Sequence, residues 1–219
     1  MGYVVTVSGA VGGIGASTFA FALALQPAGP RVLVDAQPDG VPLDVLLGAE
    51  AVPGARWSGV RLTSPDISVD TVLEALPSVH GVHLLASDRD AVADAGATTL
   101  LVAALRTDCD LVVIDTPLRA PVVDTLQPDL RILLMPPTVA GLGAALLTSS
   151  ADLGIVAVDI GHPSLPIGRL HEYLEHPVVG SVRWQRAVTA AAEAGVAPPP
   201  GSDVMRLAAL LWEGLAHAA

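Results

Sequence analysis

The sequence predicts an α/β domain: a mostly parallel, doubly wound sheet of about seven strands with helices on both faces, spanning residues 1–219 as a single unit. Three observations predict it. Short β-branched runs recur along the chain, Ala/Leu-rich stretches of helical length separate them, and an apolar content of 52% includes only 3% aromatic residues. A core of that composition must be packed from Val, Leu, Ile and Ala, which is how strands buried on both faces read.

The strand runs are residues 3–7, 31–34, 82–85, 111–114, 131–135, 154–158 and 178–182. The helical stretches are 17–25, 91–105, 140–151 and 186–194. The last segment, 203–215, carries Val204, Leu207, Ala208, Leu211 and Leu215 on one face with Arg206 as its only cation, so it is expected to pack on the domain, with membrane contact at most indirect. The Pro/Gly-rich patches are short enough to be loops. In parallel sheets, ligands sit outside the carboxyl ends of the strands. Function is therefore to be sought in residues 8–18, 35–40, 115–119, 136–139 and 159–162.

Charge removes several functional classes. All 11 basic residues are arginine, so any mechanism that requires a lysine is excluded. A net charge of -11 leaves little to neutralise a phosphate backbone, so nucleic acid is not expected as a partner. Cys109 stands alone beside an aliphatic run and reads as an inert buried thiol in a reducing, cytoplasmic setting. The first residues lack a basic and then apolar leader, and no uninterrupted apolar window is of membrane-spanning length. The six histidines lack metal-ligand spacing, and Trp57, Trp184 and Trp212 read as core or half-buried anchors.

The strongest signal is the run from Ser8 to Thr18 (SGAVGGIGAST), which follows the first strand and enters an Ala/Leu helix. Glycines let a backbone turn its N–H groups around an anion, and a helix N-terminus adds the positive end of its dipole. One reading is a nicotinamide site, since Gly9, Gly13 and Gly15 have the spacing of the short-chain dehydrogenases and Asp35 ends the second strand. Those enzymes use a tyrosine with a lysine four residues on. Here Tyr173 is followed by Pro177 at that spacing and no lysine exists, which excludes the chemistry.

The other reading is a phosphate-binding P-loop. Gly12, Gly13, Gly15, Ser17 and Thr18 resemble the Lys-Gly-Gly-x-Gly-Lys-Thr/Ser-Thr loop of the ParA/MinD superfamily, with Val11 and Ala16 in place of its two lysines. Residues 32–48 (VLVDAQPDGVPLDVLLG), 110–117 (DLVVIDTP) and 132–138 (ILLMPPT) resemble further superfamily segments in the same order. Within it, Gly9-Ala10 before the double glycine, Ala16-Ser17-Thr18 after Gly15, and residues 43–57 look most like the CpaE/TadZ group and the actinobacterial Ssd-like, septum-site-determining proteins.

The resemblance implies that Gly12, Gly13, Ile14, Gly15, Ala16, Ser17 and Thr18 bind ATP or ADP, and that Ser17, Asp35 and Asp115 hold Mg²⁺. It implies a homodimer that positions pilus or secretion machinery, or a septum, through protein partners at a pole or division site. Gln37 stands where the family has a second acid, and an amide can orient water but cannot take its proton. Asp39 and Arg119 are the remaining catalytic candidates, Arg119 as a substitute for the missing lysine charge. At most a weak ATPase is expected, because the lost cations matter most where charge builds on the transferring phosphoryl group. Two alternatives stand beside this: a slow but genuine Mg-ATPase, and a scaffold that binds no nucleotide.

Overall fold

Strand β1 (Tyr3–Gly9) lies at the middle of the sheet because both its faces are aliphatic. Val5 and Val7 belong to the core on one side and Val4 to the core on the other, all three fully buried. The computed structural model describes residues 1–37, 40–60, 68–88, 93–120, 125–148 and 150–217. In it β1 pairs in parallel with β5 (Leu111–Asp115) on one side and β6 (Leu130–Met135) on the other. Outward from β5 come β2 (Arg31–Asp35), β4 (Val82–Leu85) and β3 (Ser78–Val79); outward from β6 come β7 (Leu153–Asp159) and β8 (Val178–Arg183).

All seven expected strand runs are strands of one eight-stranded sheet, which is parallel except at its β3 edge. The eighth strand, β3, is two residues long and pairs antiparallel with β4 through a turn at His80 and Gly81, both at positive φ. Two residues are too few to show a period, which is why the pattern did not display it.

Helices cover both faces. On one side α1 (Ala16–Ala24), α2 (Leu43–Leu46) and α7 (Asp203–His217) bury Phe19, Phe21, Leu23, Leu43 and Leu207 against the sheet. On the other, α3 (Val69–Ala75) and α4 (Ala95–Asp108) cover β2, β4 and β5, while α5 (Val139–Leu146) covers β6 and β7. Helix α6 (Arg186–Glu193) follows β8.

The helix ends obey local chemistry. Asp94 caps α4 by accepting from the Ala97 N–H at 2.8 Å, so within the described residues that helix begins later than residue 91. Thr138 likewise caps α5, which stops at Leu146 rather than continuing to 151. The tail segment packs on the domain. A Cβ at Gly180 of β8 would lie 2.4 Å from Leu207 Cδ1, so the missing side chain lets α7 sit directly on the sheet. Trp212 completes the contact edge-on to Tyr3, ring centroids 5.9 Å apart. Among the described residues, no helix is long and apolar enough to cross a membrane.

Candidate functional site

The chain runs from β1 to β2 and β4 on one side, returns as β5, and crosses to β6 on the other. Such a reversal opens a crevice at the carboxyl ends of the central strands, and the glycine loop lies there. The Ala10 N–H donates to the Leu134 carbonyl at 2.8 Å, which ties the loop to β6. Gly13 (φ 72°) and Gly15 (φ 93°) then take left-handed conformations that β-carbons disfavour, and α1 begins at Ala16 without a side-chain cap. Ile14 is buried and anchors the loop from within.

Two features mark the loop as a receptor. Among the described residues, no oxygen accepts from the backbone N–H groups of residues 12, 13 and 15–18. A Cβ at Gly12, Gly13 or Gly15 would meet nothing within 4 Å, so these positions face open space. The space is a pocket of about 600 Å³ lined by the whole loop, by Gln37, Val41 and Leu46, and by the end of β8 and the start of α6.

Two carboxylates sit beneath it. Asp35 and Asp115 are register partners on β2 and β5, and both are buried. Asp35 Oδ1 accepts from the Gln37 N–H at 3.1 Å; Oδ2 accepts from Leu43 N–H at 3.1 Å and Ser87 N–H at 3.2 Å. Burial still holds its carboxyl above the ordinary 3.8, with these three bonds pulling it down and Asp44 nearby pushing up. Asp115 Oδ1 accepts from Gln37 Nε2 at 3.2 Å, whereas Oδ2 is buried with no hydrogen-bond partner among the described residues. Burial pushes Asp115 up to about 6, Ser17 and then Gln37 favour its charge, and Asp35 opposes it. The Ser17 hydroxyl is therefore close to Asp115 without forming a well-shaped hydrogen bond to it.

These positions redistribute the expected roles. Ser17 and Asp115 come together, and the buried, unpartnered Oδ2 fits a hydrated divalent cation. Asp35 is engaged in holding the segments after β2 and β4, and its backbone carbonyl also accepts from Trp57 Nε1 at 2.7 Å. Gln37 reaches Asp115. Asp39 lies outside the described residues. Arg119 is exposed and does not line the pocket.

The cation that does line the pocket is Arg183, at the end of β8, with Trp184 and Gln185 beside it. Arg183 Nε donates to Asp203 Oδ2 at 3.0 Å, and its side chain remains 72% exposed. Trp184 is half-buried, 49% exposed, at the pocket rim. The sequence singles out neither: β8 ends more than 160 residues after the loop, and only the sheet order brings them to one crevice.

The fold and the loop together define a class: this chain has the fold of the ParA/MinD P-loop ATPases. It superposes on a ParA family ATPase from Chlorobium tepidum TLS with a TM-score of 0.81 at 15% identity, covering 97% of this chain and 99% of that one. It superposes on the septum site-determining protein MinD of Pyrococcus horikoshii OT3, complexed with Mg-ADP, with a TM-score of 0.73 at 18% identity over 98% and 96% of the two chains.

In sequence it is similar to the uncharacterized protein Rv3660c of Mycobacterium tuberculosis strain ATCC 25618 / H37Rv, at 34% identity over 239 residues, 92% of this chain and 65% of that protein. The chain thus spans about 65% of the length of the curated relatives it matches. No family model matches it.

Proposed function

We propose that this chain is a nucleotide-responsive localisation or assembly factor that binds ATP or ADP, assisted by Mg²⁺, and turns it over slowly or not at all. The observation that carries the reading is the set of backbone N–H groups at residues 12, 13 and 15–18 that have no acceptor among the described residues, in a loop that lines the pocket beside Ser17 and Asp115. A phosphate tail supplies the acceptors those donors lack, and the N-terminus of α1 favours its charge. Mg²⁺, held by Ser17 and through water by Asp115, neutralises part of the phosphate charge when bound.

The same residues argue for weak hydrolysis. Gln37 spends its amide N–H on Asp115 and has no basic atom to accept a proton from water. Val11 and Ala16 bring no charge to the loop. Losing a cation some 4 Å from a phosphate forfeits roughly 4 kcal/mol of gross attraction at an effective dielectric near 20. Turnover loses more than binding, because charge accumulates in the transition state.

The finer reading draws on the resemblance to CpaE/TadZ and Ssd-like proteins: a homodimer positioning pilus or secretion machinery, or regulating a septum, in the cytoplasm through protein partners. The fold it shares with ParA and MinD supports a positioning role in general. A second reading, a slow true Mg-ATPase, is favoured by one observation, the presence of Arg183 at the pocket. Calorimetry with ATP and ADP, with and without Mg²⁺, tests the main reading. Binding with turnover far below that of a ParA ATPase is expected. No binding of either nucleotide would leave only the scaffold.

A further inference from the structure

Asp115 is fully buried; its Oδ1 accepts from the Gln37 side chain at 3.2 Å, and among the described residues its Oδ2 has no partner. Gln37 also lines the pocket, so its amide stands between the cavity and the carboxylate. Its backbone is pinned on both sides. The N–H donates to Asp35 Oδ1 at 3.1 Å, and the carbonyl accepts from Ser87 Oγ at 3.5 Å. The side chain alone is left to move.

The N–H end of an amide dipole carries partial positive charge, and here it points at the carboxylate. A divalent cation drawn through its bound water to the unpartnered Oδ2 meets, from the neighbouring Oδ1, the like-signed end of that dipole. The two oppose each other. A second acid at position 37 would add to the cation's field; an amide with its hydrogens turned to Asp115 opposes it.

We propose that Gln37 sets the cation dependence of this site: its amide N–H, held at Asp115 Oδ1, opposes a divalent cation at the unpartnered Oδ2, and the cation binds more tightly where that donor is absent. The inference deepens the nucleotide-binding reading and rests on it for its physiological meaning, but it concerns the chain's own residues.

The test is Mn²⁺ binding followed by electron paramagnetic resonance, with and without ADP, on the wild type, on Gln37→Met and on Asp115→Asn. Methionine keeps the length of the side chain and removes the donor. Gln37→Met should bind Mn²⁺ about tenfold more tightly than wild type, the size of a hydrogen bond to a charged group, and Asp115→Asn should lose the site. Unchanged or weaker Mn²⁺ binding in a folded Gln37→Met protein overturns the proposal, since a packing role predicts no gain. If that variant does not fold, Gln37→Asn, whose shorter amide falls short of Asp115, carries the same expectation and the same risk. The two readings fail separately. Tighter Mn²⁺ binding in the variants without any ADP binding would sink the nucleotide site and leave the opposition at Asp115 standing.

Discussion

Asp35 and Asp115 stand side by side across the β2–β5 ladder, equally hidden from solvent, yet their surroundings divide them. Asp35 receives three backbone N–H groups from three places in the chain, so its charge fastens the turn after β2 to the start of α2 and to the end of β4. Asp115 receives one side-chain amide and keeps an oxygen with no partner. In sequence both are acids that close an aliphatic strand. What separates a structural carboxylate from a candidate ligand is the valence left over after folding, and burial alone does not reveal it.

The contrast breaks most visibly at Asp35. Asp35→Ala removes the acceptor of three largely buried N–H groups, each costing about 1–3 kcal/mol when left unpaired, so a loss of about 4 kcal/mol in urea unfolding is expected. A loss below about 1 kcal/mol would mean that the three bonds are replaced by water and that Asp35 is not the fastening proposed.

At Asp115 the expected sign reverses. Its pKa is about 6 in the folded chain against an ordinary 3.8, so between these values the folded state holds the proton more tightly than the unfolded one. The stabilisation is complete below about pH 4 and is lost as pH rises through about 6, a span of about 3 kcal/mol. The raised Asp35 carboxyl acts in the same direction. Asp115→Asn should therefore match or exceed wild-type stability at pH 8 without ligand and flatten the slope between pH 4 and 6. A variant less stable than wild type at pH 8, with the slope intact, would show that the buried charge is not the source.

Ser17→Ala sharpens the same contrast at smaller cost. The hydroxyl favours the charge on Asp115 but makes no well-shaped hydrogen bond to it, so stability should change by less than about 1 kcal/mol while Mg²⁺ ceases to strengthen ADP binding in calorimetry. An undiminished Mg²⁺ effect would remove Ser17 from the cation site.

The fold was legible because its signals are local. Each of the seven longer strands carries its own β-branched run, and the Ala/Leu segments between them keep a helical period. What the sequence hid was set by neighbours distant along the chain. Substitution of Gln37 for an acid could be read directly, but its bond to Asp115 depends on β2 and β5 being adjacent, the partners being 78 positions apart in the chain. Arg119 drew attention because it follows Asp115 by four residues, but its side chain is exposed and outside the pocket lining. Arg183 gave no such signal. Short elements such as β3 and α2 have too few residues to display any period.

The arginine pair yields the smallest effect and tests the same principle of leftover valence on the opposite charge. Arg183 lines the pocket, but Asp203 already occupies its guanidinium, and solvent covers most of the rest. A partly spent, screened charge can add little to an incoming phosphate, so Arg183→Ala should weaken ADP binding only about threefold, and less as salt is raised. Arg119→Ala, away from the pocket, should leave binding unchanged. The slow-ATPase reading requires the reverse of this modesty: an arginine replacing a catalytic lysine must act on turnover far more than on affinity. Measured side by side, a large fall in hydrolysis with little change in ADP affinity on Arg183→Ala would promote that reading, whereas parallel small changes in both would confine Arg183 to the rim of the site.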